Sequence, residues 1–179
     1  MKIFKNTTFT YRPGRSAILA FATSLSLWAA ATSAWAGNPR FVPNASGEEV
    51  TDTQTGLIWR RCSEGQTWTG STCTGTYSTH RWVDALGYTK SIATRMGVAW
   101  RLPNVKELQT LVDRGVAFPA INSGGFPNTP TVEFWTATPQ PGSVSIAAYV
   151  DFSRGSVGFS HYDYDYVGSN PIRLVRSGQ

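Results

Sequence analysis

Little in this sequence announces chemistry. It has two cysteines, two histidines and two methionines, and only 15% of its 179 residues are charged. There is no C-x-x-C, and His80 and His161 show no ligand spacing, so a zinc site has no support. G-x-S-x-G, H-E-x-x-H, G-x-G-x-x-G and the phosphate-loop pattern are all missing. Carboxylate pairs can be drawn from the 11 acids, but no local pattern joins two of them. The 17 glycines have no three-residue period and no internal repeat is visible, which excludes collagen and solenoids. Sparse charge together with 13% aromatics argues against disorder. No cofactor is expected, and no metal.

What charge there is lies unevenly. The formal net charge is +5, which at first suggests a polyanion partner. Lys2, Lys5, Arg12 and Arg15 all precede residue 36, with no acid among them. The remainder holds 12 basic and 11 acidic residues, so it is nearly neutral. Nucleic acid is therefore not an expected partner. Residues 16–36 (SAILAFATSLSLWAAATSAWA) are apolar and small and end in Ala34-Trp35-Ala36. A basic start, an apolar stretch and an A-x-A end make 1–36 a secretory signal. A retained anchor is the alternative, since 21 mostly apolar residues can span a bilayer, but six Ser/Thr dilute the run. No cysteine lies near position 37, which disfavours a lipid anchor, and no second run has spanning length. The expected product is periplasmic or secreted, with no membrane segment after cleavage.

An oxidising compartment gives the cysteines meaning. Cys62 and Cys73 flank a polar, glycine-containing segment that can curl back on itself, and a structural disulfide between them is expected. Residues 37–49 read as an arm or linker, and 50–179 as one domain. Val50 begins an extended segment, 52–56 a turn and Leu57–Trp59 a strand, together a hairpin. Thr79 is a plausible N-cap for a helix that places Trp82, Ala85, Leu86, Thr89, Ala93 and Met96 on one face, with Gly97 as its stop. Asn104 and Glu107 have the spacing of a capping box, opening a second helix that turns Val105, Leu108, Leu111 and Val112 inward and ends at Arg114-Gly115. Residues 118–130 read as an irregular surface loop. Then the period shifts to two, with strands at 134–138, 147–152, 156–162 and 172–176 and a tight turn at Ser153-Arg154-Gly155. This is an α+β arrangement with a mainly antiparallel sheet and two helices.

The segments V-T-D-T-Q-T-G-L-I-W (50–59), W-R-L-P-N-V-K-E-L-Q-T-L-V-D (100–113), Y-V-D-F-S-R-G (149–155) and I-R-L-V-R-S-G-Q (172–179) resemble the Lcl C-terminal domain family, named from a Legionella collagen-like adhesin. The 62–76 loop looks like an insertion found in a subset of that family. The family is similar to the formylglycine-generating and C-type-lectin-like folds, where an R-L-P step also leads into a helix. The resemblance implies a compact loop-rich domain and export. For the namesake it implies adhesion through acidic or sulfated glycans. It supplies no catalytic mechanism: the formylglycine-generating relatives act through a late cysteine pair, and no cysteine follows Cys73 here. The namesake's collagen stalk is also missing.

Candidate ligand-binding residues follow from the chemistry of sugars, which present apolar C–H faces and hydroxyl rims. His161, Tyr162, Asp163, Tyr164, Asp165 and Tyr166 join the last two strands and combine aromatics with acceptors. The plain alternative is a hairpin whose tyrosines pack on the sheet. Asp163 and Asp165 have a spacing found in calcium loops, but further ligands around them are missing. Trp68, in the polar cysteine loop, is either a stacking platform or the plug of that loop. Trp59, Trp82, Trp100 and Trp135 lie in apolar segments and read as core or rim anchors. Arg60, Arg61, Arg81, Arg101, Arg154, Arg173 and Arg176 are the pool for any local anion site. The expected function is an exported, non-enzymatic recognition module for glycan binding or adhesion, with polysaccharide or glycosaminoglycan-like glycans as partners. The alternatives are a cell-envelope enzyme and a structural or assembly subunit of a surface structure.

Overall fold

The computed structural model describes residues 10, 40–143, 145–161 and 169–178. All but Thr10 fall in one unit, Trp35–Gln179. Eleven described strands and two described helices form it, and every strand pairing is antiparallel, so the fold is α+β. No described helix is long and apolar enough to cross a membrane.

A four-stranded sheet runs in the order β1 (Phe41–Pro43), β2 (Glu49–Asp52), β3 (Leu57–Arg60), β11 (Val175–Ser177). The β2–β3 hairpin turns where the sequence places it. Asp52 accepts from the Gln54 N–H and the Thr55 hydroxyl, and Gly56 takes φ 70°. Part of the segment read as an arm is itself a strand: β1 pairs with β2, and Arg40 clamps Asp52 at 2.6 and 2.8 Å. Burial pushes the Asp52 carboxyl up, but Arg40, the Gln54 N–H and the Thr55 hydroxyl together outweigh it and hold the group below its usual value. A three-stranded sheet, β7 (Glu133–Pro139), β8 (Ile146–Asp151) and β9 (Ser156–His161), supplies the second layer.

The alternation of strand faces divides the core. Val50, Trp59 and Val175 stand in register on one face and join Leu108, Phe126 and Phe134 in a first cluster. Ile58 faces the other way, toward Trp100, Trp135 and Leu174 in a second cluster. The expected burial of Trp59, Trp100 and Trp135 holds, and Trp82 and Trp135 each place the indole N–H on a backbone carbonyl, of Thr136 and His80.

Helix α1 (Trp82–Met96) ends at Gly97 in the left-handed conformation, as the sequence indicates. Its start and its face differ. Arg81, not Thr79, is the N-cap, because His80–Arg81 is drawn into strand β6, which pairs with β10 (Ser169–Asn170). Ala85, Thr89 and Ile92 are buried, while Leu86 and Met96 are exposed. Helix α2 (Val105–Gln109) opens with the reciprocal Asn104–Glu107 cap and stops five residues before Arg114. Leu108 and Leu111 are buried as expected. The 118–130 loop is irregular but is not only surface, since Ala120, Ile121 and Phe126 are buried in it.

Candidate functional site

Cys62 and Cys73 are disulfide-bonded, with Cα atoms 5.4 Å apart. Inside the bridge, β4 (Thr67–Trp68) pairs with β5 (Cys73–Thr74). The turn between them closes by a Thr69 N–H to Thr72 carbonyl bond, with Gly70 at φ 95°. The loop is tied to the body of the domain from both sides. Asn128 donates to the Cys73 carbonyl at 2.8 Å, and Gln66 donates to the Asn128 carbonyl at 3.2 Å.

Trp68 is half-buried, and both readings of it have some basis. The Arg61 guanidinium lies 4.1 Å from its ring centroid, and Gly47 packs against its edge so closely that a Cβ there would sit 2.8 Å from Nε1. Trp68 therefore plugs the base of the loop. It also lines an open hollow of about 170 Å³ with Glu48, Arg60, Cys62, Gln66 and Thr67. With Arg61 on one face of the indole, at most one face is left for a ligand. An aromatic wall beside a carboxylate, a guanidinium, an amide and a hydroxyl can take an apolar sugar face and hydrogen-bond its rim.

Arg61 itself is not a ligand group. It is buried and donates to the carbonyls of Gly47, Gly124 and Gly125 at 2.8–3.1 Å. Arg173 is also fully buried and donates to the carbonyls of Arg60 and Arg61 and to the hydroxyls of Ser63 and Thr129. Burial lowers its pKa to about 9, so it remains a cation at neutral pH. Others of the pool carry carboxylates: Arg81 with Asp84, Arg101 with Glu107 and Arg176 with Glu49. Arg60 and Arg176 lie over the Trp100 ring at 5.8 and 5.3 Å. Arg154 is exposed in the β8–β9 turn, away from these elements in the chain order. The pool is thus spent largely on structure, a use that residue type alone does not reveal.

A second polar group lies at the end of the loop. Tyr88 donates to Glu64 at 3.2 Å, its ring is 4.6 Å from that of His80, and His80 Nε2 is 3.1 Å from Ser78 Oγ. Burial pushes His80 below its ordinary value, against the pull of Glu64 and Asp84, and pushes Tyr88 up. Among the described residues no group of three or more His, Cys, Asp or Glu is placed to hold a metal ion. His161 ends β9, but its side chain and Tyr162, Asp163, Tyr164, Asp165 and Tyr166 lie outside the described residues.

No curated protein matches the chain significantly. The family model of the Lcl C-terminal domain matches residues 48–176, from the residue before β2 to the middle of β11. The chain belongs to the Lcl C-terminal domain family.

Proposed function

We propose that the protein is an exported, non-enzymatic recognition module that binds a glycan at the Trp68 hollow. The observation that carries the reading is the half-buried indole set beside Glu48, Arg60 and Gln66 in an open hollow held by a disulfide. A rigid aromatic wall loses little freedom when a sugar ring stacks on it. The engagement of Arg101, Arg176 and Arg81 by carboxylates favours stacking and hydroxyl recognition over capture of a densely sulfated chain. Arg101-Leu102-Pro103 leading directly into α2 supports kinship with the C-type-lectin-like folds.

An enzymatic alternative has one point in its favour, the Ser78–His80 contact. A hydroxyl nucleophile also needs its base oriented by a third group, and no bond to His80 Nδ1 is seen among the described residues. The test is a glycan array covering neutral and sulfated structures, followed by calorimetry with Trp68→Ala. Saturable binding that Trp68→Ala removes supports the proposal; hydrolysis of a bound glycan that Ser78→Ala stops would replace it.

A further inference from the structure

Strand β11 ends the four-stranded sheet, and its outer edge is only partly covered. Arg101 exchanges backbone bonds with Val175 there, at 2.9 and 3.0 Å. Along an antiparallel strand, successive residues turn their N–H and C=O to alternate sides. Leu174 and Gly178 face β3, the first accepting from the Arg60 N–H and the second donating to the Gly56 carbonyl. Val175 and Ser177 therefore face outward. Among the described residues, nothing pairs with the outward N–H and C=O of Ser177. They border a hollow of about 640 Å³ lined by Gly97, Val98, Ala99, Arg101, Arg176 and Glu49.

Both guanidiniums of that hollow are held in place with donors to spare. Arg101 is gripped at 2.7 and 2.8 Å by Glu107, which the α2 cap pins in turn. Its side chain remains 43% exposed, and the two donors it has left, on Nε and Nη2, are held in place beside the hollow. Arg176 gives one Nη2 bond to Glu49 and lies over Trp100, while its Nε is buried without an acceptor. Of its five N–H donors Arg101 spends two on Glu107 and one on the Leu102 carbonyl and retains two, whereas Arg176 retains three besides its buried Nε. Two guanidiniums and two carboxylates nearly cancel, so the hollow has no strong field for a polyanion. What it offers is fork geometry matched to a planar carboxylate, next to an unpaired strand edge.

We infer that this edge binds the free carboxyl end of an extended peptide. The peptide adds as a short strand to Ser177, and its terminal carboxylate accepts from Arg176 or Arg101. An open edge selects an extended backbone, and the forks select its end. The inference does not depend on the Trp68 site.

The test uses the full chain against a library of random seven-residue peptides with free C-termini. The best binder is then made as free acid and as C-terminal amide. The expected result is saturable binding of the acid, with the amide weaker by about tenfold or more, the size of one lost charge-assisted contact. Ser177→Pro removes the outward N–H without touching the β11–β3 ladder, and it should weaken binding as much. Arg176→Gln should do the same, whereas the exposed Arg154→Met should bind as the parent does. A library without a binder, equal affinity for acid and amide, or full binding by a folded Ser177→Pro would overturn the inference. So would a sulfated oligosaccharide that occupies the hollow where no peptide does. The acid-to-amide comparison uses the unaltered protein, so it stands even if Ser177→Pro fails to fold.

Discussion

Arg173→Met is the substitution whose cost follows most directly from the structure. The guanidinium is fully buried and donates to two carbonyls of the β3 exit, at Arg60 and Arg61, and to the Ser63 and Thr129 hydroxyls. Its carbon lies 4.9 Å from the Phe126 ring centroid and 5.8 Å from that of Phe134. Methionine keeps the stem and the apolar contacts but supplies no donor. Each buried acceptor left unpaired costs about 1–3 kcal/mol, and two carbonyls are at stake. Relief of the desolvated charge works the other way, since a buried ion replaced by an apolar side chain is often tolerated. The net expectation is a loss of about 3 kcal/mol, or a melting temperature lower by roughly 10 °C for a domain of this size. Urea unfolding followed by tryptophan fluorescence reads it, with the exposed Arg154→Met as control, expected within about 0.5 kcal/mol of the parent. If Arg173→Met is as stable as Arg154→Met, the carbonyls do not depend on the guanidinium and Arg173 does not hold the β3 exit.

Three further outcomes are expected. Replacing both cysteines by serine opens an 11-residue closure and should lower stability by about 3 kcal/mol in denaturant titrations; an unchanged midpoint would mean that Asn128 and Arg61 hold the loop by themselves. Gly47→Ala puts a methyl group 2.8 Å from Trp68 Nε1 at a φ of +75°, so the indole should shift, seen as a changed near-ultraviolet dichroism signal; an identical spectrum would count against the packing. The hydrogen bond from Arg101, against the opposing effect of burial, holds Glu107 below its usual value of 4.5. Its stabilisation is therefore complete above about pH 4.5 and is lost as the pH falls through the lower folded value. Urea midpoints of the parent should drop more steeply in that range than those of Glu107→Gln, and parallel curves would refute the assignment.

The parts of the fold that were legible in the sequence are those set by neighbours in the chain. The Asn104–Glu107 box, the Asp52–Gly56 turn and the Gly97 stop each need only a few adjacent residues. The disulfide was legible because the expected compartment and the short polar spacing point to the same pairing. Errors arise where distant chain decides. The β6–β10 pairing takes His80–Arg81 away from α1 and so moves its cap from Thr79. A 3.6-residue period admitted Leu86 and Met96 to the inner face, but the layer beneath the helix accepts Ala85, Thr89 and Ile92 instead. Arg61 and Arg173 belong to the pool for an anion site by residue type alone. Their acceptors are backbone carbonyls and hydroxyls, most of them far along the chain, and these leave no trace in residue order. For Trp68, the polar loop around it signalled something unusual, but only the contacts with Arg61 and Gly47 define which part of the ring is already covered.

Glycan binding at the Trp68 hollow is the central proposal. The most direct measurement is binding of the purified protein to an array of neutral and sulfated glycans, repeated with Trp68→Ala. Saturable binding to a defined glycan, weakened by about tenfold or more in Trp68→Ala while the fold is kept, is the predicted result. A blank array, or a bound glycan that Trp68→Ala holds equally well, would contradict it.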